Sequence, residues 1–254
     1  MTQMLSEIQP HFLVLAFVVT MAAGLVKGVT GFAMPMVMIS GLSSFLSPEV
    51  ALAALLLPTL TSNLWQALRQ GIAAARLTLR RFSVYLITML AMLVLSAQLV
   101  RSIPASVLYL LIGFPITVFA AMQLFGFRPK VTPNRWIEGA IGSFAGFIGG
   151  ISGVWGPPTV AYLTAIETPK SDQMRVQGVI YAVGAVALVG AHLQSGVLTA
   201  GTAPLSALMI VPATLGMAVG LAVQDRFDQE TFRKVTLVVL IVAGANLIRK
   251  GLIG

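Results

Sequence analysis

The chain contains no cysteine among its 254 residues. Disulfide bonds, thiolate metal sites and cysteine nucleophiles are therefore excluded. Acidic residues and histidines are also scarce, at eight and two. Because none of them has the spacing of a metal site or accompanies a nucleophile motif, we expect no enzymatic activity, no metal and no cofactor.

Charge of either sign is rare, and apolar sequence takes its place. Charged residues make up 9% of the chain and hydrophobic residues 57%, with a mean hydropathy of +0.92. A soluble domain averages about 25% charged residues. The composition therefore predicts an all-α, polytopic integral membrane protein with the lipid bilayer as its surroundings.

Ten apolar runs divide the chain, at 11–30, 35–46, 49–68, 82–101, 104–125, 136–150, 157–166, 173–193, 202–224 and 231–248. A transmembrane helix needs about 20 residues. Six runs reach that length and 231–248 comes close to it, whereas 35–46, 136–150 and 157–166 are short. Because no lysine or arginine precedes Lys27, the first run lacks the basic start of a cleaved signal peptide, and we expect a retained span.

Glycine and proline recur in one pattern in two places. The spacing G-x-x-x-G-x-x-G-x-x-x-P occurs at Gly24, Gly28, Gly31 and Pro35, and again 122 residues later at Gly146, Gly150, Gly153 and Pro157. Both residue types interrupt helices, and at membrane depth an interrupted helix is tolerated only inside protein or beside a cavity. Matched breaks in two halves indicate a transporter's binding site. We therefore predict one helix break in each half, with Gly156 and Pro158 belonging to the second.

The two halves predict an inverted repeat. Residues 1–128 and 129–254 each contain a broken or re-entrant entry pair followed by three full spans. An odd number of crossings in each half inverts the second half relative to the first. The sequence leaves open whether the short runs cross fully or fold back as hairpins.

Basic residues are distributed unevenly between the predicted loops. One side collects twelve of them, namely Arg69, Arg76, Arg80, Arg81, Arg128, Lys130, Arg135, Lys170, Arg175, Arg226, Arg233 and Lys234. The other side has Arg101, Arg249 and Lys250, with Lys27 set aside. Basic loops stay in the cytoplasm, which predicts that both termini lie outside. The net charge of +8 thus reflects topology, and we expect no nucleic-acid partner.

The predicted breaks favour an anion as the ligand. A helix that begins at membrane depth presents unpaired N–H groups and a positive dipole end, which bind anions without a basic side chain. The hydroxyls of Thr30 and Ser152 lie at equivalent positions of the two breaks and are candidate donors. The structural alternative is close helix packing through Gly-x-x-x-Gly.

Other polar residues within the apolar runs are candidates for the same site. Lys27 lies in the first break and would supply a fixed positive charge, or else extend toward the interface. Polar residues in lipid should face the bundle interior, where they bind substrate or form interhelical hydrogen bonds. Trp155 lies in the second break as a gate or a packing residue. The remaining candidates are Asn63, Gln66, Gln177 and Tyr181.

Two halves that each begin with this glycine–proline break, with Gly153-Val154-Trp155-Gly156-Pro157-Pro158 in the second, resemble the sulfite exporter TauE/SafE family over essentially the whole chain. The resemblance implies a membrane transporter of sulfur-containing anions such as sulfite, sulfonates or sulfoacetate. We expect export by alternating access in the cell (inner) membrane. An anion channel and an uptake carrier for another organic anion remain alternatives. The sequence leaves open whether the chain forms a homo-oligomer.

Overall fold

The computed structural model describes residues 9–68, 71–127, 131–168, 170–223 and 229–253. This part of the chain is helical and contains no strand. Its α-helices are α1 (Pro10–Thr30), α2 (Met34–Leu42), α3 (Pro48–Leu68), α4 (Ile72–Arg81), α5 (Ser83–Ala97), α6 (Ala105–Leu124), α7 (Arg135–Ser152), α8 (Gly156–Ala165), α9 (Lys170–Gln194), α10 (Ala203–Val223) and α11 (Gln229–Ile253). A short 3-10 turn, Val100–Ser102, follows α5.

Six stretches of the described chain are long and apolar enough to cross a bilayer. They are α1, α3, Ser83–Ser102, α6, Arg175–Gln194 and α10. Large apolar side chains such as Val14, Ile87 and Phe114 lie exposed on these helices. Exposed apolar side chains on every long helix are what hydrocarbon surroundings accommodate and water does not. The chain is therefore a multi-pass membrane protein, as its composition predicts.

The structure adds one helix that the apolar pattern does not reveal. Residues 72–81 were expected to be part of a basic loop, but they form α4, with Arg80 and Arg81 in its last turn. Cations near a helix C-terminus interact favourably with the helix dipole. A search for apolar runs misses this helix because it is too polar to register as a span.

Glu138 also departs from its expected setting. The sequence places it at a segment end, where a carboxylate would be solvated, yet it is only 8% exposed. Its Oε1 accepts a hydrogen bond of 3.2 Å from the backbone N–H of Tyr85, in the first turn of α5. A carboxylate at a helix N-terminus satisfies unpaired N–H groups, so Glu138 caps α5 from α7.

The first two glycines of each motif do not break a helix, which corrects the sequence-based interpretation. α1 continues through Gly24 and Gly28, and α7 continues through Gly146 and Gly150. A Cβ atom at Gly24 would overlap the carbonyl oxygen of Ala213 in α10, and one at Gly146 would overlap that of Met89 in α5. These glycines allow close contact between helix backbones, which was the structural alternative.

The most extensive helix contacts join a helix of one half to a helix of the other half. α1 of the first half packs against α10 of the second, and α7 of the second half packs against α5 of the first. α3 packs against α9, and α6 against α11. A twofold relation between halves would produce this arrangement, because each contact then has a counterpart or maps onto itself. The repeat boundaries at 128 and 129 stay a prediction.

Candidate functional site

Each break is a tight turn centred on the third glycine of the motif. α1 ends at Thr30 and is followed by Gly31 at φ 78°, and α7 ends at Ser152 and is followed by Gly153 at φ 72°. The N–H of each glycine donates to the carbonyl four residues earlier, over 2.7 and 2.8 Å. Glycine adopts this left-handed conformation without a steric penalty. Each motif therefore contains one break, and the structure puts it at the third glycine.

Thr30 and Ser152 stabilise these turns. The hydroxyl of Thr30 donates to the carbonyl of Val26 over 2.8 Å, and that of Ser152 to the carbonyl of Ile148 over 2.7 Å. Ser152 Oγ also accepts the N–H of Val154, and Thr30 Oγ1 that of Phe32. Because each hydroxyl already bonds its own chain, these residues shape the breaks.

A new helix begins directly after each break, as the prolines predict. α2 carries Pro35 and α8 carries Pro157 in the first turn, where a missing N–H is tolerated. The two helix starts differ in what they offer an anion. α2 presents N–H groups from residues 34 and 36, whereas Pro157 and Pro158 leave α8 only that of Gly156 in its first three positions.

The two breaks meet at one cavity, which we call the central cavity. Its walls come from α1, the first break, the start of α2, α3, the second break, the start of α8 and α9, through Lys27, Phe32, Ala33, Pro35, Met36, Asn63, Gly153, Val154, Trp155, Gly156 and Tyr181. Its volume is about 20 Å³, which is room for about one water molecule. The positive ends of α2 and α8 therefore converge on a small cavity.

Lys27 is the basic side chain in the wall of this cavity. Its side chain is only 1% exposed, and its ammonium donates a hydrogen bond to Oδ1 of Asn63. The amide nitrogen of Asn63 donates in turn to the carbonyl of Tyr181 over 3.3 Å. The Tyr181 hydroxyl donates to the carbonyl of Gly156 over 3.4 Å. α1, α3, α9 and α8 are thus linked through one polar network around Lys27.

Trp155 supplies an unused donor. Its ring lies edge-on to that of Tyr181, with centroids 6.5 Å apart, and the residue is 2% exposed. The indole Nε1 is buried and has no hydrogen-bond partner. An unpaired buried donor is rare and unfavourable in a native protein. Trp155 lines the central cavity, and the nitrogen edge of its indole packs beside Gly184 of α9, so a small acceptor that reaches this edge would find an unpaired donor.

The structure brings together seven of the residues proposed from sequence, namely Lys27, Pro35, Asn63, Gly153, Trp155, Gly156 and Tyr181. Thr30, Gly31 and Ser152 lie in the breaks but do not line the cavity. Phe32, Ala33, Met36 and Val154 were missed. Phe32, Ala33 and Val154 lie inside the two break motifs and Met36 directly follows Pro35, so taking each motif with its intervening residues would have found all of them except Met36.

Gln66 and Gln177 lie one helical turn away from the cavity, on α3 and α9. Both amide atoms of Gln66 are buried and unpartnered, and its Cγ packs against Gly178. Gln177 is buried as well. Each is displaced from the cavity in the same direction, toward the C-terminus of α3 and the N-terminus of α9. They are buried polar residues just outside the central cavity.

A second cavity lies in that direction. It measures about 400 Å³ and is lined by Leu77, Thr78, Arg81, Phe82, Pro133, Ile166, Glu167, Thr168, Asp172, Arg175 and Val176. Arg175 pairs with Asp172 over 2.7 Å. Arg81 lies over the ring of Phe82, 5.7 Å from its centroid. The second cavity is much larger than the central one and is bordered by two arginines.

A layer of buried tyrosines separates the two cavities. α8 runs from Gly156 at the central cavity to its C-cap, Ile166, at the second one, about 15 Å along the helix. Between them, Tyr162 stacks on Tyr85 with ring centroids 5.8 Å apart. The Tyr85 hydroxyl bonds Thr159 Oγ1 over 2.7 Å, and Thr159 donates to the carbonyl of Trp155. Along α8, these residues lie between the two cavities.

Comparison with known proteins identifies the family. A family model described as Sulfite exporter TauE/SafE matches residues 16–247, a range that contains both breaks and the whole wall of the central cavity. A search of curated proteins and a search of solved structures gave no match. The predicted resemblance is confirmed, and the chain belongs to the sulfite exporter TauE/SafE family of membrane transporters.

Proposed function

We propose that this protein carries a small sulfur-containing anion, a sulfur oxyanion or an organosulfonate, across the cell membrane, and that the anion binds in the central cavity. The observation that supports this most strongly is the wall of that cavity. It joins a buried lysine, an unpartnered indole N–H and the N-terminal ends of two helices. All of these favour negative charge.

The chemistry of the wall matches an oxyanion or sulfonate head group. Such a group has several acceptor oxygens around one centre, and it would receive hydrogen bonds from Lys27, Trp155 and the first turn of α2. Hydrogen bonds to charged groups are about twice as strong as neutral ones. The name of the family, a sulfite exporter family, is consistent with an anion of this class.

The size of the central cavity favours a carrier over a channel. A volume of about 20 Å³ does not hold a group of four or more heavy atoms, so an anion enters only if helices move. We propose alternating access, with the second cavity as the entrance on one side and the layer of Tyr85, Thr159 and Tyr162 as its closure. A static anion channel would need a continuous path.

The direction of transport and the orientation of the protein in the membrane are part of the same proposal. Arg81 and Arg175 belong to the basic side of the protein, which would face the cytoplasm, so the second cavity opens inward and both termini lie outside. An inside-negative potential of 100 mV favours outward movement of an anion by about 2.3 kcal/mol per charge. These terms support export across the inner membrane for an anion that moves with net negative charge.

Counterflow in proteoliposomes tests the function. Vesicles loaded with unlabelled sulfite should accumulate ³⁵S-sulfite transiently through the purified wild-type protein, and Lys27→Gln should abolish this accumulation. Lys234→Gln serves as the matched control, because Lys234 is exposed and pairs with Glu230. Large single-channel currents would establish the channel alternative.

A thermal-shift screen identifies the ligand independently of flux. Sulfite, sulfate, thiosulfate, sulfoacetate, taurine and simple carboxylates form the panel. We expect one or more sulfur-containing anions to stabilise the wild type, and we expect none of them to stabilise Lys27→Gln. Stabilisation by carboxylates alone would favour a carrier of another organic anion. The absence of both binding and counterflow would overturn the proposal and favour a role in assembly.

A further inference from the structure

Lys27 is a buried cation whose contacts in the described structure are neutral. Its ammonium bonds the side-chain oxygen of Asn63, and Trp155 and Tyr181 complete that side of the central cavity. A buried ammonium is stable only when it is paired, and otherwise gives up its proton. The charge state of Lys27 therefore depends on what else occupies the cavity.

The helices packed on α1 bring no carboxylate to this ammonium. α2 and α10 contain no titratable residue. In α3 the one carboxylate is Glu49, about 21 Å along the helix from Asn63. On α1 itself the other titratable side chain is His11, about 24 Å away.

The remaining neighbours also leave Lys27 without a counterion. α8 carries no charged residue, and its titratable side chain is Tyr162 in the layer beyond Thr159. α7 carries Glu138, about 22 Å along the helix from the second break. On α9, Tyr181 lines the cavity. His192 lies about 16 Å from it along the helix in one direction, and Asp172, which is paired with Arg175, lies about 14 Å from it in the other. α11 carries Glu230 in its first turn, where it pairs with Lys234. In its last turn, Lys250 donates to the carbonyls of Ser43 and Ser44, which follow the end of α2 that is remote from the cavity.

From this arrangement we propose that Lys27 takes up one proton when the anion binds and releases it when the anion leaves, so that the protein moves a proton together with each anion. The inference rests on the proposed function and adds the coupled ion. With the anion present, the ammonium has a counterion and stays charged. When the anion leaves to an open side, the N–H proton passes to entering water, and the neutral amine stays hydrogen-bonded to Asn63.

Coupling at Lys27 alters the charge moved in each cycle. A monoanion and one proton cross together without net charge, so concentration and pH gradients set the direction. A dianion and one proton carry one net negative charge, and an inside-negative potential still favours export. Since the neutral empty site contains no buried charge, it can return without a ligand. Net transport then needs no exchange partner.

The decisive measurement uses wild-type protein in proteoliposomes containing a pH-sensitive dye. The probes are ³⁵S-thiosulfate and methanesulfonate, which are anions of strong acids and carry no proton at neutral pH. We expect the lumen to acidify as either anion enters, with one proton per anion, and uptake to rise at least about tenfold when the outside is more acidic. Anion uptake without proton movement, and insensitive to the pH gradient, would overturn the inference and leave the proposed function standing.

Lys27→Arg separates binding from coupling. Arginine stays protonated in proteins, so the variant should bind and exchange anion for anion, whereas net uptake and proton movement should fall at least about tenfold. Lys234→Arg is the matched control at an exposed lysine and should behave as wild type. Full proton-coupled net uptake by Lys27→Arg would contradict the role of Lys27. No transport of any panel anion by wild type would instead refute the proposed function, and this inference with it.

Discussion

At the residue scale, the indole of Trp155 is the group whose state in the structure calls for a ligand. Its N–H is buried without a partner, so Trp155→Phe removes a donor while keeping an aromatic ring. We expect anion affinity to fall about tenfold to a hundredfold, because a hydrogen bond to a charged group contributes about 1.5–3 kcal/mol. Titration by thermal shift measures this. Trp136→Phe, at a site 87% exposed, should leave affinity unchanged, and unchanged affinity in Trp155→Phe would argue for a packing role.

Asn63 is the uncharged hydrogen-bond partner of Lys27. Because it does not neutralise the ammonium, Lys27 can still pair with an anion. Asn63→Asp gives Lys27 a permanent carboxylate, so we expect anion binding to weaken by more than about tenfold through competition and repulsion. The folded protein should persist, because the new pair is charge-balanced. Asn246→Asp places the same change beside Arg249 at the end of α11 and is the control. Wild-type affinity in Asn63→Asp would show that Lys27 does not bind the anion.

At the element scale, glycines in α7 set how closely α7 and α5 approach. Gly146→Ala puts a methyl group against the carbonyl of Met89, and overpacking of this kind costs about 1–3 kcal/mol. Gly139→Ala, on the same helix, puts its methyl group 3.6 Å from Val84 Cγ1, an ordinary contact. Of the two variants, only Gly146→Ala should have a lower melting temperature than the wild type. The melting temperature is obtained from the fraction of protein that remains monodisperse after heating. Equal melting temperatures would contradict the packing role.

On the proposed route between the two cavities, Gln66 of α3 and Gln177 of α9 lie outside the central cavity. Gln66→Leu removes an amide that has no partner, so stability should be unchanged or raised. Because Gln66 does not line the central cavity, we expect unchanged anion affinity and a severalfold lower transport rate. Comparison of thermal-shift titration with counterflow rates separates these effects. A loss of affinity with an unchanged rate would place Gln66 in the binding site itself.

At the scale of the whole molecule, the absence of cysteine makes single-cysteine labelling a direct test of orientation. Arg80→Cys, at the end of α4, should react with a membrane-impermeant thiol reagent only after cells are opened. Ala200→Cys, in the exposed turn before α10, should already react in cells in which only the outer membrane has been permeabilised. The reverse pattern would place both termini in the cytoplasm and reverse the proposed direction of the second cavity.

The amount of the structure that the sequence predicted differs between elements. The spans, the turns at Gly31 and Gly153 and the helix starts at Pro35 and Pro157 follow from local rules, because chain length, φ and a missing N–H act within a few residues. α4 was missed because its amphipathic pattern is short and basic. Gly24 and Gly146 were assigned to the breaks because the sequence alone does not distinguish a glycine that ends a helix from one that permits close packing against a neighbouring helix.

The sequence by itself determined the membrane class, the positions of the two breaks and the family resemblance, since these depend on composition and on spacing along the chain. Only the tertiary structure decided which polar residues share a cavity. It brought Lys27 to Asn63 across α1 and α3, left the N–H of Trp155 buried and unpaired, and directed the hydroxyls of Thr30 and Ser152 to their own turns. The physical reason is that hydrogen-bond partners far apart in the chain are chosen by helix packing, which close glycine contacts fix and local sequence does not encode.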